Sequence, residues 1–188
     1  MKLVVFSDAH LGFGYGTELF DDPFNALNEI IDQNKDADGF IIAGDLFDSR
    51  TPKQEVFARA MRILSALFEV HSNVKLELVS NEGKEKKILL KGVPIIAIHG
   101  THERRIKELV NPVELMENAG FLVHLHCNGI ILHKGDEHVY IAGISGVPET
   151  YASTILRHCI ENKLIQAREK CVNLFVIHQN LEGFVYAE

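Results

Sequence analysis

The fold of this chain is decided by the stretch Gly39-Phe40-Ile41-Ile42-Ala43-Gly44-Asp45. Its apolar part is short, rich in isoleucine and free of polar residues, which is typical of a strand buried on both faces of a parallel sheet. Gly44 allows the backbone to turn sharply directly after the strand. We therefore expect Asp45 at the carboxyl end of the strand, where open α/β sheets bind their ligands.

Three further strand-like runs also lead into Asp or His. They are Lys2-Leu3-Val4-Val5-Phe6-Ser7 before Asp8 and His10, Pro94-Ile95-Ile96-Ala97-Ile98-His99 before Gly100-Thr101-His102, and Asn173-Leu174-Phe175-Val176-Ile177 before His178. We predict four buried strands that present these side chains at one edge of the fold. The sequence thus indicates an α/β protein with a functional site at that edge.

The totals of the chain are those of a globular protein, and we expect a single domain over residues 1–188. Hydrophobic residues make up 46% and charged residues 24%, which is ordinary. The net charge of −7 argues against binding nucleic acid by electrostatics alone. It does not exclude a nuclease, because divalent cations in a site supply positive charge. With 10 histidines in the chain, we expect some of them to be ligands.

The cysteines predict a reducing setting inside the cell. Cys127, Cys159 and Cys171 show no C-x-x-C spacing, so we expect neither a disulfide framework nor a zinc knuckle. The chain opens directly with a strand, and it has no apolar run near the length of a membrane span. We therefore expect a cytoplasmic protein without a signal peptide or a membrane segment.

Capping residues and apolar periodicity predict the other elements. We expect one helix to start at Asp22-Pro23, a second to open with a capping box at Thr51-Pro52-Lys53-Gln54, and a third to run from Asn111-Pro112 to Gly120. A fourth helix is predicted over residues 149–168. Its inward side chains would be Ile155, Leu156, Cys159, Ile160 and Leu164. The short strands and turns that follow Phe121 predict a second, partly antiparallel sheet.

Two surface features each allow two interpretations. Residues 74–79 and 87–90 predict a hairpin that carries the densest basic cluster of the chain. The lysines of that cluster are Lys84, Lys86, Lys87 and Lys91. They form either a solvated hairpin tip or a contact to a phosphate backbone. Phe57 and Met61 lie on the broad apolar face of the second helix, which either packs into the core or pairs with a second copy of the chain.

The chemistry of the site follows from the residue types at the predicted strand ends. Asp8, His10, Asp45 and His178 offer the oxygen and imidazole ligands that Mn²⁺, Fe or Zn²⁺ accept. A carboxylate has two oxygens, so Asp45 could bridge two ions about 3.5 to 4 Å apart, the separation of two-metal sites that clamp a phosphoryl group. His102 would stay unligated and donate a proton to the leaving alkoxide. Glu103 is expected to orient it.

The order of these blocks resembles a known family. The blocks are Asp8-x-His10, Gly44-Asp45, Gly100-x-His102-Glu103 and a late strand ending in His178. This chain resembles the calcineurin-like metallophosphoesterases over its whole length. Within them, Gly44-Asp-Leu-Phe-Asp-Ser49 and Ile177-His-Gln179 are similar to the SbcD-type nuclease subunit of the double-strand-break-repair complex.

The resemblance implies a fold, a reaction and partners. The fold would be a two-sheet αββα sandwich, and the reaction would be exo- and endonucleolytic cleavage of DNA ends with two metal ions, most often Mn²⁺. Asp8 and His10 would bind the first metal, Asp45 would bridge both, His178 would bind the second, and His102 would act on the leaving group. The resemblance also implies a homodimer and a coiled-coil ATPase partner that binds through a region outside this chain.

Two departures from the family pattern limit these expectations. Thr101 stands where the family usually has an asparagine that ligates the second metal, and a hydroxyl is a weaker ligand. The family's final Gly-His-x-His block has no counterpart before Glu188. We expect a fragment of a longer enzyme whose 188 residues alone bind metal weakly and hydrolyse little. The alternatives are an enzyme for small phosphodiesters or phosphomonoesters, and a dimerising module with a decayed site.

Overall fold

The computed structural model describes residues 1–79, 91–105 and 109–180. It contains α-helices and strands that alternate along the first half of the chain. The helices are α1 Asp22–Gln33, α2 Gln54–Leu64, α3 Pro112–Asn118 and α4 Glu149–Glu161. The strands are β1 Leu3–Phe6, β2 Gly39–Ala43, β3 Lys75–Val79, β4 Ile95–Ile98, β5 Val123–His124, β6 Asn128–Lys134, β7 Glu137–Ile144 and β8 Val172–Ile177. Two 3₁₀ helices, Glu18–Asp21 and Ser65–Phe68, flank α1 and α2.

The first sheet has the strand order β1-β2-β4-β5, and all of its neighbouring strands are parallel. Its centre is the predicted stretch β2, in which successive side chains point to opposite faces. Phe40 and Ile42 pack in the cluster that contains α1 and α2, whereas Ile41 packs toward the second sheet. Because both faces of β2 are covered, its run of apolar residues is uninterrupted.

The second sheet has the strand order β3-β6-β7-β8. The pairs β3-β6 and β6-β7 are antiparallel, and β8 is parallel to β7. Side chains from both sheets form one apolar cluster between them, with Ile96 and Ile98 from β4 facing Ile130 from β6 and Ile141 from β7. Helices α1 to α3 cover the outer face of the first sheet. Together with α4 on the far side, this confirms the predicted α/β class and the αββα sandwich.

Two of the four strands predicted to be buried lie at sheet edges, so that part of the prediction was wrong. In β1, the side chain of Val5 is 60% exposed, and in β8 those of Val172 and Phe175 are 63% and 49% exposed. Moreover, β8 lies in the second sheet. The apolar run of β8 is the same as that of a buried strand, because strand composition does not reveal which neighbours cover it.

The helix starts and ends agree with the sequence in some places and differ in others. Asn111 caps α3 as predicted, since its side chain accepts a hydrogen bond from the Glu114 N–H at 2.8 Å. The capping box at Thr51 is wrong, because α2 begins at Gln54 and its N-cap, Lys53, makes no side-chain hydrogen bond. Strand β3 is the first half of the predicted hairpin. The return strand over 87–90 and the cluster lysines 84, 86 and 87 lie outside the described residues.

Helix α4 corrects two expectations. It ends at Glu161 rather than near residue 168, and Leu156 and Ile160 are 39% and 57% exposed instead of facing inward. Cys159 is its buried residue and is joined to Cys127 in a disulfide, with a Cα–Cα separation of 5.7 Å. The sequence predicted no disulfide, because the two cysteines are 32 residues apart and only the packing of α4 against the second sheet brings them together.

None of the helices in the described ranges has the length and hydropathy that a bilayer crossing requires.

Candidate metal centre

Three of the predicted site residues have a left-handed backbone. The φ angles of Asp8, His10 and Asp45 are 57°, 45° and 50°, in a region that is costly for residues with a side chain. Backbone hydrogen bonds hold the two turns together: the Asp8 N–H donates to the Gly44 carbonyl at 3.1 Å, and the His10 N–H donates to the Asp45 carbonyl at 3.0 Å. Such strain persists where the surrounding structure enforces it, typically at functional sites.

Asp45 lies at the centre of the site and is 3% exposed. Its Oδ1 accepts a hydrogen bond from the His102 N–H at 2.9 Å, and the Thr101 hydroxyl lies 3.5 Å from its Oδ2. A Cβ at Gly100 would come within 2.1 Å of Oδ1, so only glycine allows the strand end to approach this closely. The carboxylate of Asp45 is thereby fixed between two strand ends.

One group of potential ligands consists of Asp8, Asp45 and His178. One ligand atom from each lies within 4.8 Å of the others. His178 Nδ1 lies 2.9 Å from the Ala43 carbonyl, which can only accept, so this nitrogen carries a proton. In the neutral ring, Nε2 then presents a lone pair to Asp45 Oδ2 at 3.2 Å. A metal ion between these two atoms would be bound by both, and the carbonyl is the outer partner that metal-binding histidines usually have.

A second group consists of His10, Asp48 and His102, again with ligand atoms within 4.8 Å of one another. His10 Nδ1 is 3.2 Å from Asp48 Oδ1. It is buried and lacks a well-aligned hydrogen bond. His10 Nε2 is 3.8 Å from Asp8 Oδ1, which connects the two groups. The two groups thus offer the mixture of carboxylate and imidazole that divalent transition metals accept, and they fit such ions.

The structure brings together all five site residues predicted from the sequence, but in a different grouping from the one that the resemblance implies. Asp8 lies with His178, whereas His10 lies with His102. Sequence reasoning missed Asp48 as a site residue. The available signal was its position three residues after Asp45, in a block that was used only to recognise the family.

Glu103 does not orient His102, contrary to prediction. Its side chain is fully buried, and its two carboxylate oxygens accept hydrogen bonds from the Phe47 N–H and the Gly100 N–H, each at 2.8 Å. Burial raises the pKa of Glu103 to about 8, against the two hydrogen bonds, and the nearby Asp45 contributes to the rise. Glu103 therefore ties the loop after β2 to the loop after β4.

The backbone carbonyl of Asp48, and not Glu103, orients the imidazole of His102. His102 Nδ1 lies 3.3 Å from this carbonyl and 3.8 Å from the Asp48 carboxylate. The carbonyl fixes the proton on Nδ1, so Nε2 is directed elsewhere. The imidazole of His102 is half exposed, and its ring stands nearly perpendicular to that of His10, with centroids 4.7 Å apart.

A buried polar cluster lies behind the site. Burial lowers the pKa of His99 to about 4, so its imidazole is neutral at physiological pH. His99 Nδ1 is 2.9 Å from His124 Nε2, and the hydroxyl of Ser145 lies 3.1 Å from the same His124 nitrogen. The Ser145 hydroxyl in turn donates to the Leu125 carbonyl at 2.8 Å. The cluster fixes the end of β4 directly before Gly100.

Comparison with known proteins identifies the family of this chain. Residues 1–176 match the family model described as calcineurin-like phosphoesterase. The chain is 29% identical to the DNA double-strand break repair protein Mre11 of Methanopyrus kandleri, over 98% of this chain and 39% of that protein.

Two further relatives carry similar names. The chain is 26% identical to the double-strand break repair protein mre-11 of Caenorhabditis elegans, over 96% of this chain and 28% of that protein. It is 28% identical to Mre11 of Methanosarcina acetivorans, over 100% of this chain and 27% of that protein. The chain therefore spans less than half the length of these relatives. Because the family model covers nearly the whole chain, this protein belongs to the calcineurin-like phosphoesterase family.

Proposed function

We propose that this chain is the catalytic core of a DNA nuclease that hydrolyses phosphodiesters with two divalent metal ions, of which Mn²⁺ is the working ion. The observation that carries this proposal is the convergence of two ligand groups, one around Asp45 and one around Asp48, at the carboxyl ends of β1, β2, β4 and β8. The names of the relatives support a role in double-strand break repair.

In this proposal, Asp8, His10, Asp45 and His178 would hold the two ions, and the Asp45 carboxylate would contribute to both. When bound, the ions would polarise the phosphoryl group and lower the pKa of a bound water. The chain's own contribution is to fix the ligands, since the left-handed turns and the Ala43 carbonyl hold Asp8 and His178 against Asp45.

His102 is the proposed proton donor to the leaving oxygen. Its Nδ1 proton is held by the Asp48 carbonyl at 3.3 Å, which leaves Nε2 of the half-exposed ring for the substrate. Donation from Nε2 uses the doubly protonated ring, in which both nitrogens are donors.

The proposal also includes a substrate, a location and partners. We propose DNA as substrate, the cytoplasm as location, a homodimer as the working state, and a coiled-coil ATPase that binds through a region outside this chain. The face of α2 does not by itself support the dimer, because the ring of Phe57 packs against that of Phe47 with centroids 5.0 Å apart. Packing into the core therefore accounts for Phe57 without a second copy of the chain.

The experiment uses the protein with any residues that its gene encodes after Glu188. Mn²⁺-stimulated degradation of linear DNA is expected. His102→Asn should keep metal binding by calorimetry and lose most of the cleavage, on the order of 10²-fold or more. Asp45→Ala should lose both. An inactive protein with bound metal confirmed would refute the nuclease, and loss of metal in His102→Asn would refute the proton-donor role.

A second candidate is a phosphoesterase that acts on small phosphodiesters or phosphomonoesters. The net charge of −7 favours it, since the chain has no surplus of lysine and arginine to bind a DNA backbone. Cleavage of a nucleotide-sized diester far faster than DNA would identify this activity.

A further inference from the structure

A cleft of about 520 Å³ opens beside Asp45 and shares Asp8 and His178 with the first ligand group. Thr101, Arg104 and the loop that leads into α4 also line it. Within the part of the chain that the structure describes, Arg104 is the one arginine or lysine that lines the cleft. The cleft is therefore a continuation of the metal centre with a permanent cation at its edge.

We propose that the guanidinium of Arg104 binds a phosphate oxygen of the substrate and so holds the nucleic-acid strand against the metal centre. This inference rests on the proposed function and names a residue that the family blocks do not include. A guanidinium presents several N–H donors in a plane that matches two phosphate oxygens, and its charge does not depend on pH.

The position of Arg104 is fixed from within the fold. Glu103, the preceding residue, is anchored by its hydrogen bonds to Phe47 and Gly100, so the backbone at the rim of the cleft cannot shift freely. The charge of Arg104 also acts on the interior, because it contributes to lowering the pKa of His99. Arg104 shares the lining of the cleft with Asp8 and His178, and it is partly buried, where a charge is less screened than at the surface.

The two amide side chains of the cleft each donate a hydrogen bond to another group of the protein. Gln179 Nε2 donates to the Val147 carbonyl at 2.9 Å, and Asn180 Nδ2 donates to Glu149 Oε1 at 2.7 Å. Both amides are thereby oriented by protein acceptors, and neither carries the charge that a phosphate requires. The carboxylic residues Asp8 and Glu149 also line the cleft, so a phosphate there would gain from a nearby cation. Arg104 provides it.

The neighbouring Arg105 provides a matched control. Its Nη1 lies 3.3 Å from the Val110 carbonyl, and the residue does not line the cleft. Arg104 and Arg105 have the same charge and adjacent positions, so a variant of either changes the net charge of the protein equally. A difference in KM between the two variants is therefore due to the position of the arginine and not to the net charge of the protein.

The test compares Arg104→Gln, Arg104→Lys and Arg105→Gln in Mn²⁺-dependent hydrolysis of a short oligonucleotide, with thermal melts to verify folding. Arg104→Gln should raise KM about tenfold or more and change kcat little, because one charge-assisted contact is lost from both bound states. It should also reduce the slope of log affinity against log salt by about 1. Arg104→Lys should recover part of the affinity, and Arg105→Gln should match the parent protein.

An unchanged KM and salt slope in a folded Arg104→Gln variant would overturn the inference, as would an equal effect in Arg105→Gln. A second measurement separates failure of this inference from failure of the proposed function. It follows binding of the same oligonucleotide, labelled with a fluorophore, by anisotropy with Ca²⁺ in place of Mn²⁺. If the parent protein bound but did not cleave, the nuclease proposal would fail. Loss of binding in Arg104→Gln alone would still support the role of Arg104.

Discussion

Replacing Glu103 with glutamine should remove a pH dependence from the stability of the folded chain. The pKa of Glu103 is raised from an ordinary 4.5 to about 8, chiefly by burial. Between these values, the folded state holds a proton that the unfolded state releases. The stability that Glu103 contributes is therefore fully present below pH 4.5 and is lost as the pH rises through about 8.

The slope is about 1.4 kcal/mol per pH unit, so the whole range is worth about 5 kcal/mol. Glutamine does not titrate, and it presents an N–H₂ group to either the Phe47 N–H or the Gly100 N–H. Leaving one buried backbone donor unpaired should cost about 1 to 3 kcal/mol at every pH. The variant should thus be less stable at low pH, and the difference from the parent protein should shrink as the pH rises.

Urea denaturation of both proteins from pH 5.5 to 7.5, with a chelator present, measures this difference. We expect it to change by about 2 to 3 kcal/mol over the range, because the slope of about 1.4 kcal/mol per unit acts on the parent protein alone. His99 and the other titrating groups are present in both proteins, so their contributions cancel. A difference that stays constant with pH would refute the assignment of a protonated Glu103, whatever the size of the offset.

Two further predictions concern the surroundings of the site. Gly44→Ala should lower the free energy of unfolding by about 1 to 2 kcal/mol for the left-handed backbone alone, since φ is 101°. It should also weaken Mn²⁺ binding in calorimetry, because the new Cβ would lie 2.3 Å from His178 Nδ1; parental affinity would contradict this. His99→Asn should reduce the loss of folding stability at acid pH. The pKa of His99 is lowered from 6.5 to about 4, so His99 contributes stability that is present above pH 6.5 and lost as the pH falls through about 4. Chemical denaturation at pH 4.5 and 7 tests this, and an unchanged pH dependence would exclude His99 as its source.

Short-range sequence patterns were sufficient to predict the elements that depend on local interactions. The apolar run of β2 and the glycine after it predicted both a fully buried strand and the carboxylate at its end, because strand periodicity and turn chemistry involve residues a few positions apart. The same local reasoning found the start of α3 at Asn111-Pro112 and the positions of Asp8, His10, His102 and His178 after their strands.

Long-range packing determines which strands are neighbours and which side chains meet. The sheet to which β8 belongs, the exposure of α4 and the disulfide from Cys127 to Cys159 depend on packing between segments that are far apart in the chain. Glu103 illustrates the reason. Its partner Phe47 is 56 residues away, and nothing in the sequence around either residue records that their loops are adjacent. Local sequence thus specifies where a ligand is offered, whereas the assembled sheets decide which ligands share a site.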